Sequence, residues 1–443
     1  MSGRLSRRRV LAATGATGLA AIAGCSGLNP FGGRRAPPTI DTSWFGSLGG
    51  DRPSIPKPDP VAVSAAYLDR TSAGVRETLS GVPHPLTAAD VPNGAIREAV
   101  TSRYGDATDA LDRAAAAASD AAALDALREA RRKAHWSRAA WRAIDAGLTR
   151  RDVRDGVPDV ANHVRSFRRR WRYVGDPTDP VRALLVHAAI EDRIADSRSN
   201  LRGARSPDPR SRETPPAVGD LASTVETARA SVADAGQLFD RFVGSLAATR
   251  SYASTFESAE SSLRATASSR RGHVPDVQHG RALVDADVGG LPVGEALDRL
   301  YNAVRFADAG HYREAGRVAD AIRLHHSTLV HLRALRALRS AVRDGEYARV
   351  TSADDVRSIR SQALSAVEAA ADSTTHPRLS RLVLHGSVAA IARSDASLAR
   401  HRGTVSVLAV AEDVGRYVAV ARVAPATPPA SEAVATALDA ASG

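Results

Sequence analysis

From Val61 onward, apolar side chains return every three or four positions, and almost no segment alternates strictly between apolar and polar residues. The first rhythm belongs to one buried helix face and the second to a half-buried strand, so the pattern predicts helices throughout. A first helix is expected over about 60–79, ended by Gly81 with Pro83 and Pro85 behind it, because proline lacks the N–H that a continuing helix needs. In the next segment Leu127, Ala134, Trp141 and Leu148 recur every seven residues as one packed stripe, with Trp136 on a second face. Helical periodicity continues over about 158–174, 179–201, 218–270, 293–342, 353–371, 378–400 and 405–423. The expected fold is all-α, an irregular multi-helix array or bundle with no significant sheet.

The interruptions predict the domain plan. Residues 25–60 are rich in Gly, Pro and Ser without periodicity, too poor in apolar surface to offset their ordering entropy, and read as a flexible tether in which Trp44 and Phe45 are the exceptions. Residues 203–216, rich in Ser, Pro and Arg, read as the linker between an N-terminal helical domain over 61–202 and a C-terminal one over 217–424. Glu412, Asp413 and Arg416 interrupt the last apolar stretch, which is therefore no membrane span, and 425–443 after Pro425 reads as a loose tail.

The N-terminus carries a different pattern. Ser6-Arg7-Arg8-Arg9-Val10-Leu11 leads into a run of small and branched apolar residues that ends in Ile22-Ala23-Gly24-Cys25. The run falls well short of the roughly 20 residues a spanning helix needs, so residues 1–24 read as an export signal. The arginine pair resembles a twin-arginine translocation motif, and Ile-Ala-Gly-Cys resembles the lipobox of exported lipoproteins, a combination similar to the signals of haloarchaeal surface lipoproteins. The resemblance covers residues 1–25 only. It implies that Arg7 and Arg8 direct export in folded form, that cleavage precedes Cys25, and that a lipid on Cys25 anchors the protein to the outer face of the cytoplasmic membrane.

Cys25 is the only cysteine among 443 residues, which excludes an internal disulfide and a thiolate metal site. Aromatics make up only 4% of the chain, so the core must form from close helix contacts over small side chains. The net charge is +11, and Lys57 and Lys133 are the only lysines, so the basic chemistry is that of forked guanidinium groups. Its densest stretch runs from Arg165 to Tyr173. There Val160, Val164, Phe167, Trp171 and Val174 keep helical spacing and read as core, which argues against bases stacking on the rings and hence against nucleic acid. Arg165, Arg168, Arg169 and Arg172 are left on the solvated side, available to an anionic surface polymer, lipid head groups or another envelope protein.

Three acid and histidine pairs sit at helical spacing: Asp159 with His163, His187 with Glu191, and His311 with Glu314. None has the Glu-x-x-His spacing of carboxylate-bridged bundles, so no metal is expected, His187 and Glu191 being the weak candidates. His325, His326 and His331 do not converge on one ion, and His325 falls where a core residue with a helix-to-helix hydrogen bond is expected. No His-Glu-x-x-His, nucleophile elbow, phosphate-binding glycine loop or dinucleotide fingerprint is present. The expectation is a noncatalytic, membrane-anchored helical binding protein without a cofactor. The alternative is a helix-bundle carrier of metal or a small ligand that uses His187 and Glu191.

Overall fold

The computed structural model describes residues 38–443 apart from Lys57, Asp59, Pro60, residues 207–212, Thr374 and Gly443. Arg7, Arg8, Cys25, the first part of the tether and the middle of the 203–216 linker lie outside the described residues. The rest is dominated by helices, as the periodicity predicts. Their starts are written in the sequence: the side chains of Asn93, Ser119, Thr149, Asp179, Thr214, Ser352 and Ser406 each accept a hydrogen bond from the first turn of the helix that follows.

Helices α1 (Ala65–Ser80), α2 (Gly94–Ala115) and α3 (Asp120–Asp145) pack together, and α3 lies along α7 (Pro215–Gly244). The short α4 (Arg150–Asp155) leads to α5 (Val157–Arg170) and then to α6 (Pro180–Arg205), which packs along α7. The second half contains α8 (Ala253–Arg271), α9 (Pro292–Arg305), the one-turn α10 (Gly310–Glu314), α11 (Val318–Arg343), α12 (Ala353–Ala371), α13 (Pro377–Leu398) and α14 (Val407–Ala440). Helix α14 is its axis, touching α8, α9, α11, α12 and α13. At Gly415 the approach of α9 is so close that a Cβ would stand 2.6 Å from that of Glu295. Two small antiparallel pairs complete the fold, β1 (Thr39–Asp41) with β4 (Thr404–Ser406) and β2 (Val174–Gly175) with β3 (Arg250–Ser251). One apolar core runs without a break from Phe167 and Leu184 through Phe242 and Leu297 to Ile322 and Leu438, so the two halves share an interior.

Three expectations need correction. The stretch read as a tether is folded from Pro38 on: Ile40 pairs with Val405, Thr42 Oγ1 donates to the Gly403 carbonyl at 2.8 Å, and Phe45 is fully buried among residues of α12, α13 and α14. A few well-placed apolar side chains suffice where the chain can pair with β4 in a two-stranded sheet. The supposed loose tail is also core. Helix α14 passes straight through Pro425, Pro428 and Pro429 and buries Ala430, Val434 and Leu438. Finally, the Arg-rich helix ends at Arg170; Trp171 caps it in extended conformation, so Trp171 and Val174 belong to the turn beyond the helix rather than to its stripe, while Val160, Val164 and Phe167 are buried as expected.

Candidate functional site

Helix α6 carries His187 and Glu191 one turn apart, both fully buried. The turn after α5 folds onto them. Trp171 Nε1 donates to His187 Nδ1 at 3.1 Å, which favours a neutral ring with its proton on Nε2, and Nε2 lies 2.7 Å from the Val174 carbonyl and 3.0 Å from the Val174 N–H. Burial among Trp171, Tyr173, Phe242 and Phe256 pushes the His187 pKa down to about 4. Glu191 meets the start of α11: its Oε1 accepts the Ala319 N–H at 3.1 Å and its Oε2 the Asp320 N–H at 2.8 Å, and the Tyr173 hydroxyl donates to Oε1 as well. Burial and the charge of Asp320 push the Glu191 carboxyl upward, against the pull of these three donors. Every ring nitrogen of His187 and both oxygens of Glu191 therefore have protein partners, and the pair does the work of joining α5, α6 and α11. Among the described residues no three His, Cys, Asp or Glu side chains are placed to hold a metal ion.

Beside Glu191 stands a charged network. Arg317 donates to Asp192 and Asp320 at 2.8 Å each, and Arg323 to Asp192 at 2.8 Å and Asp320 at 3.1 Å. Burial, then the charge of Asp192, raises Asp320 to about 6 despite both arginines. This wall separates two concavities.

The smaller, a recess of about 210 Å³, opens between α5, α6 and α10. Arg168 of α5, Arg198 and Arg202 of α6 and the paired Arg317 line it, with Trp171, Glu191 and His311. Arg131, Arg317, Arg323, Arg360 and Arg416 each bond a carboxylate, whereas Arg168, Arg198 and Arg202 have no acid or hydrogen-bond acceptor among the described residues. Burial and the guanidinium groups of Arg168, Arg202 and Arg317 pull the Arg198 pKa down. Glu191 is the one acid in this lining and its oxygens are already taken by Tyr173 and the start of α11, so the three forked donors at the hollow are arranged to bind an oxyanion.

Of the four arginines singled out in the sequence, only Arg168 reaches this recess. Arg165 bonds Asn162, Arg172 bonds the Arg169 and Trp171 carbonyls at 2.7 and 2.8 Å, and Arg169 is exposed. Arg170, by contrast, pairs with Asp240 and lies over the Phe167 ring at 5.1 Å. The other candidate pairs stay on the surface: Asp159, His163, His311 and Glu314 are all exposed. His325 is buried and bonds Glu260 of α8 at 3.1 Å. Arg198 and Arg202 were missed although their signal was present, since they fall seven and eleven residues after Glu191 and so share its face.

The structure thus defines an all-α helical array with a cationic recess at the seam between its halves. Residues 66–249 match the family model described as domain of unknown function DUF8262, and residues 253–436 match that of DUF8264. The matches meet at β3 rather than in the 203–216 stretch, and α6 and α7, on either side of that stretch, pack along each other. Glu191 lies within the first match and the start of α11 within the second, so the seam is built from both. Comparison with curated proteins and with solved structures gives no match.

Proposed function

We propose that this chain is a noncatalytic binding protein, held on the outer face of the cytoplasmic membrane by a lipid on Cys25, that takes an anionic group of a surface polymer into the Arg168–Arg198–Arg202 recess. The observation that carries the binding reading is the unpaired state of these three guanidinium groups around one hollow. The anchor reading is supported by the Arg7-Arg8 motif and the Ile-Ala-Gly-Cys sequence; no helix among the described residues is long and apolar enough to cross a membrane. A recess of this size accepts a sulfate or phosphate group while the rest of the polymer runs over Arg165, Arg169 and Arg172 outside it.

Calorimetric titration with a sulfated oligosaccharide tests the reading. Arg198→Gln with Arg202→Gln should weaken binding at least tenfold, and Arg165→Gln with Arg172→Gln by less than threefold, because only the first pair converges on the recess while the second meets the polymer as isolated, screened charges. Equal losses in the two double variants, or no saturable binding, would remove the recess from the account. Replacing Cys25 by Ser should release the protein from membranes; a variant that still partitions with them would remove the anchor.

A further inference from the structure

The larger concavity, a cleft of about 620 Å³, lies on the other side of the Asp192–Arg323 wall, between α9, α11, α13 and α14. This is within the range of roughly 300 to 1,000 Å³ typical of small-molecule sites. Its floor is apolar, formed by Leu300, Leu324, Leu382, Val383, Val420 and Val423. At one end stand Arg299, Arg393 and Arg416. Arg299 and Arg416 share Glu412 at 3.2 and 3.1 Å, whereas Arg393 is exposed and has no partner among the described residues. The opposite end is closed by Asp192 and Asp320, whose charges Arg317 and Arg323 already take up. His326 and His331 in the wall add no charge: burial holds both rings neutral, and each has one nitrogen engaged, with Ser431 at 3.1 Å and with the Ser327 carbonyl at 2.7 Å. The remaining wall is α13, where Ser387 and Ala390 line the cleft beside Gly386. Gly386 lies in the middle of α13 on the exposed rim of the cleft, and a Cβ there would meet nothing within 4 Å. An apolar floor that ends at an arginine without a partner among the described residues has the form of a ligand slot.

We infer that this cleft binds a small amphipathic anion, its hydrocarbon body lying along Leu382, Val420 and Val423 beneath Gly386 and its carboxylate or phosphate on Arg393 and Arg299. The polymer recess and this slot are separate sites, one for an oxyanion alone and the other for an anion with an apolar body.

Calorimetry of the full chain with dodecanoate, kept below its micelle concentration, tests the slot. One equivalent should bind saturably. Gly386→Phe, which projects a ring into open space, should weaken binding at least tenfold, and its thermal unfolding reports whether the fold is kept. Arg393→Glu alters an exposed, unpartnered side chain and should also weaken dodecanoate at least tenfold, while dodecanol, which lacks the charge, should change less than twofold. The Arg198→Gln, Arg202→Gln variant should bind dodecanoate as the parent does. Absence of saturable binding to the parent would overturn the inference, as would a folded Gly386→Phe protein or an Arg393→Glu protein that binds dodecanoate unchanged.

Discussion

The carboxylate of Glu191 closes the N-terminal end of α11 by accepting the backbone N–H of Asp320 at 2.8 Å, with the Ala319 N–H at 3.1 Å beside it. A helix start leaves N–H groups without partners and carries partial positive charge, so a buried carboxylate from another helix satisfies both needs at once. It also makes α6 and α11 interdependent. Glu191→Gln should cost about 2 to 3 kcal/mol in urea unfolding, because an amide has one acceptor oxygen for three donors and must turn its NH₂ toward at least one of them. A loss below about 0.5 kcal/mol would mean that solvent serves these donors instead.

Acid should act on the fold through two opposing groups. His187 and His326 are held neutral by burial, with pKa values near 4 against an ordinary 6.5. The unfolded chain therefore binds more protons between those values, and stability present above pH 6.5 is lost as pH falls toward 4, by up to about 3 kcal/mol for each ring. Asp320 works the other way, as does Glu191, whose carboxyl is also pushed upward by burial and by the Asp320 charge. The Asp320 carboxyl is raised from 3.8 to about 6, so the folded state holds the extra proton, and stability falls as pH rises through that window. His326→Gln, which keeps a donor for Ser431, should flatten the acid loss, and Asp320→Asn should steepen it. Unfolding free energies measured from pH 4 to 7 for the three proteins check both signs.

How much of this was legible in the sequence follows from what periodicity can report. Helical spacing places Val160, Val164 and Phe167 in the core because the face of a helix is a local property. It carries no information on where the helix stops when the next residues keep the same spacing, and Trp171 and Val174 do so by coincidence. Trp171 is used after the helix has ended, to donate to His187 across the turn. The recess was hidden for a related reason: Arg168 stands out in a basic run, but the arginines that complete it come from the next helix, and only the α5–α6 turn brings them together.

The turn gives Trp171 a role that a packing residue would not have. Trp171→Phe should keep most of the apolar contact yet leave His187 Nδ1 without its donor, at a cost of about 1 to 3 kcal/mol. Trp171→Ala should cost more, since a cavity is added. Near-equal stability of the Phe variant and the parent, measured by chemical denaturation, would show that the indole acts through its bulk alone.

The N-terminal strap gives a sharper contrast between a tether and a folded element. Phe45 is fully buried, Trp44 lies under the Arg357 guanidinium at 4.8 Å, and the Val407 N–H donates to the Pro38 carbonyl at 2.9 Å. Phe45→Ala should cost about 3 to 5 kcal/mol, the range for an emptied aromatic core site. A tether residue would cost nothing measurable. Thermal melts of this variant and of Ser47→Ala, an exposed neighbour, separate the two cases.

The end of α14 makes the same point where sequence rules argue most strongly for a break. An interior proline costs roughly 3 kcal/mol in an isolated helix, and three of them fall between Pro425 and Pro429. The helix persists because its far side has somewhere to go. Ala430, Val434 and Leu438 follow at four-residue spacing into the shared core, Thr427 Oγ1 donates to the Val423 carbonyl at 2.8 Å, and Ser431 holds both His326 and Ser380 at 3.1 and 3.0 Å. Leu438→Ala should therefore cost about 2 to 5 kcal/mol. Removing everything after Ala424 should abolish a single cooperative melt, since it strips one wall from the core and leaves His326 buried without Ser431. A truncated chain that melts within a few degrees of the full protein would show that the helix beyond Pro425 packs on the surface without supporting the interior.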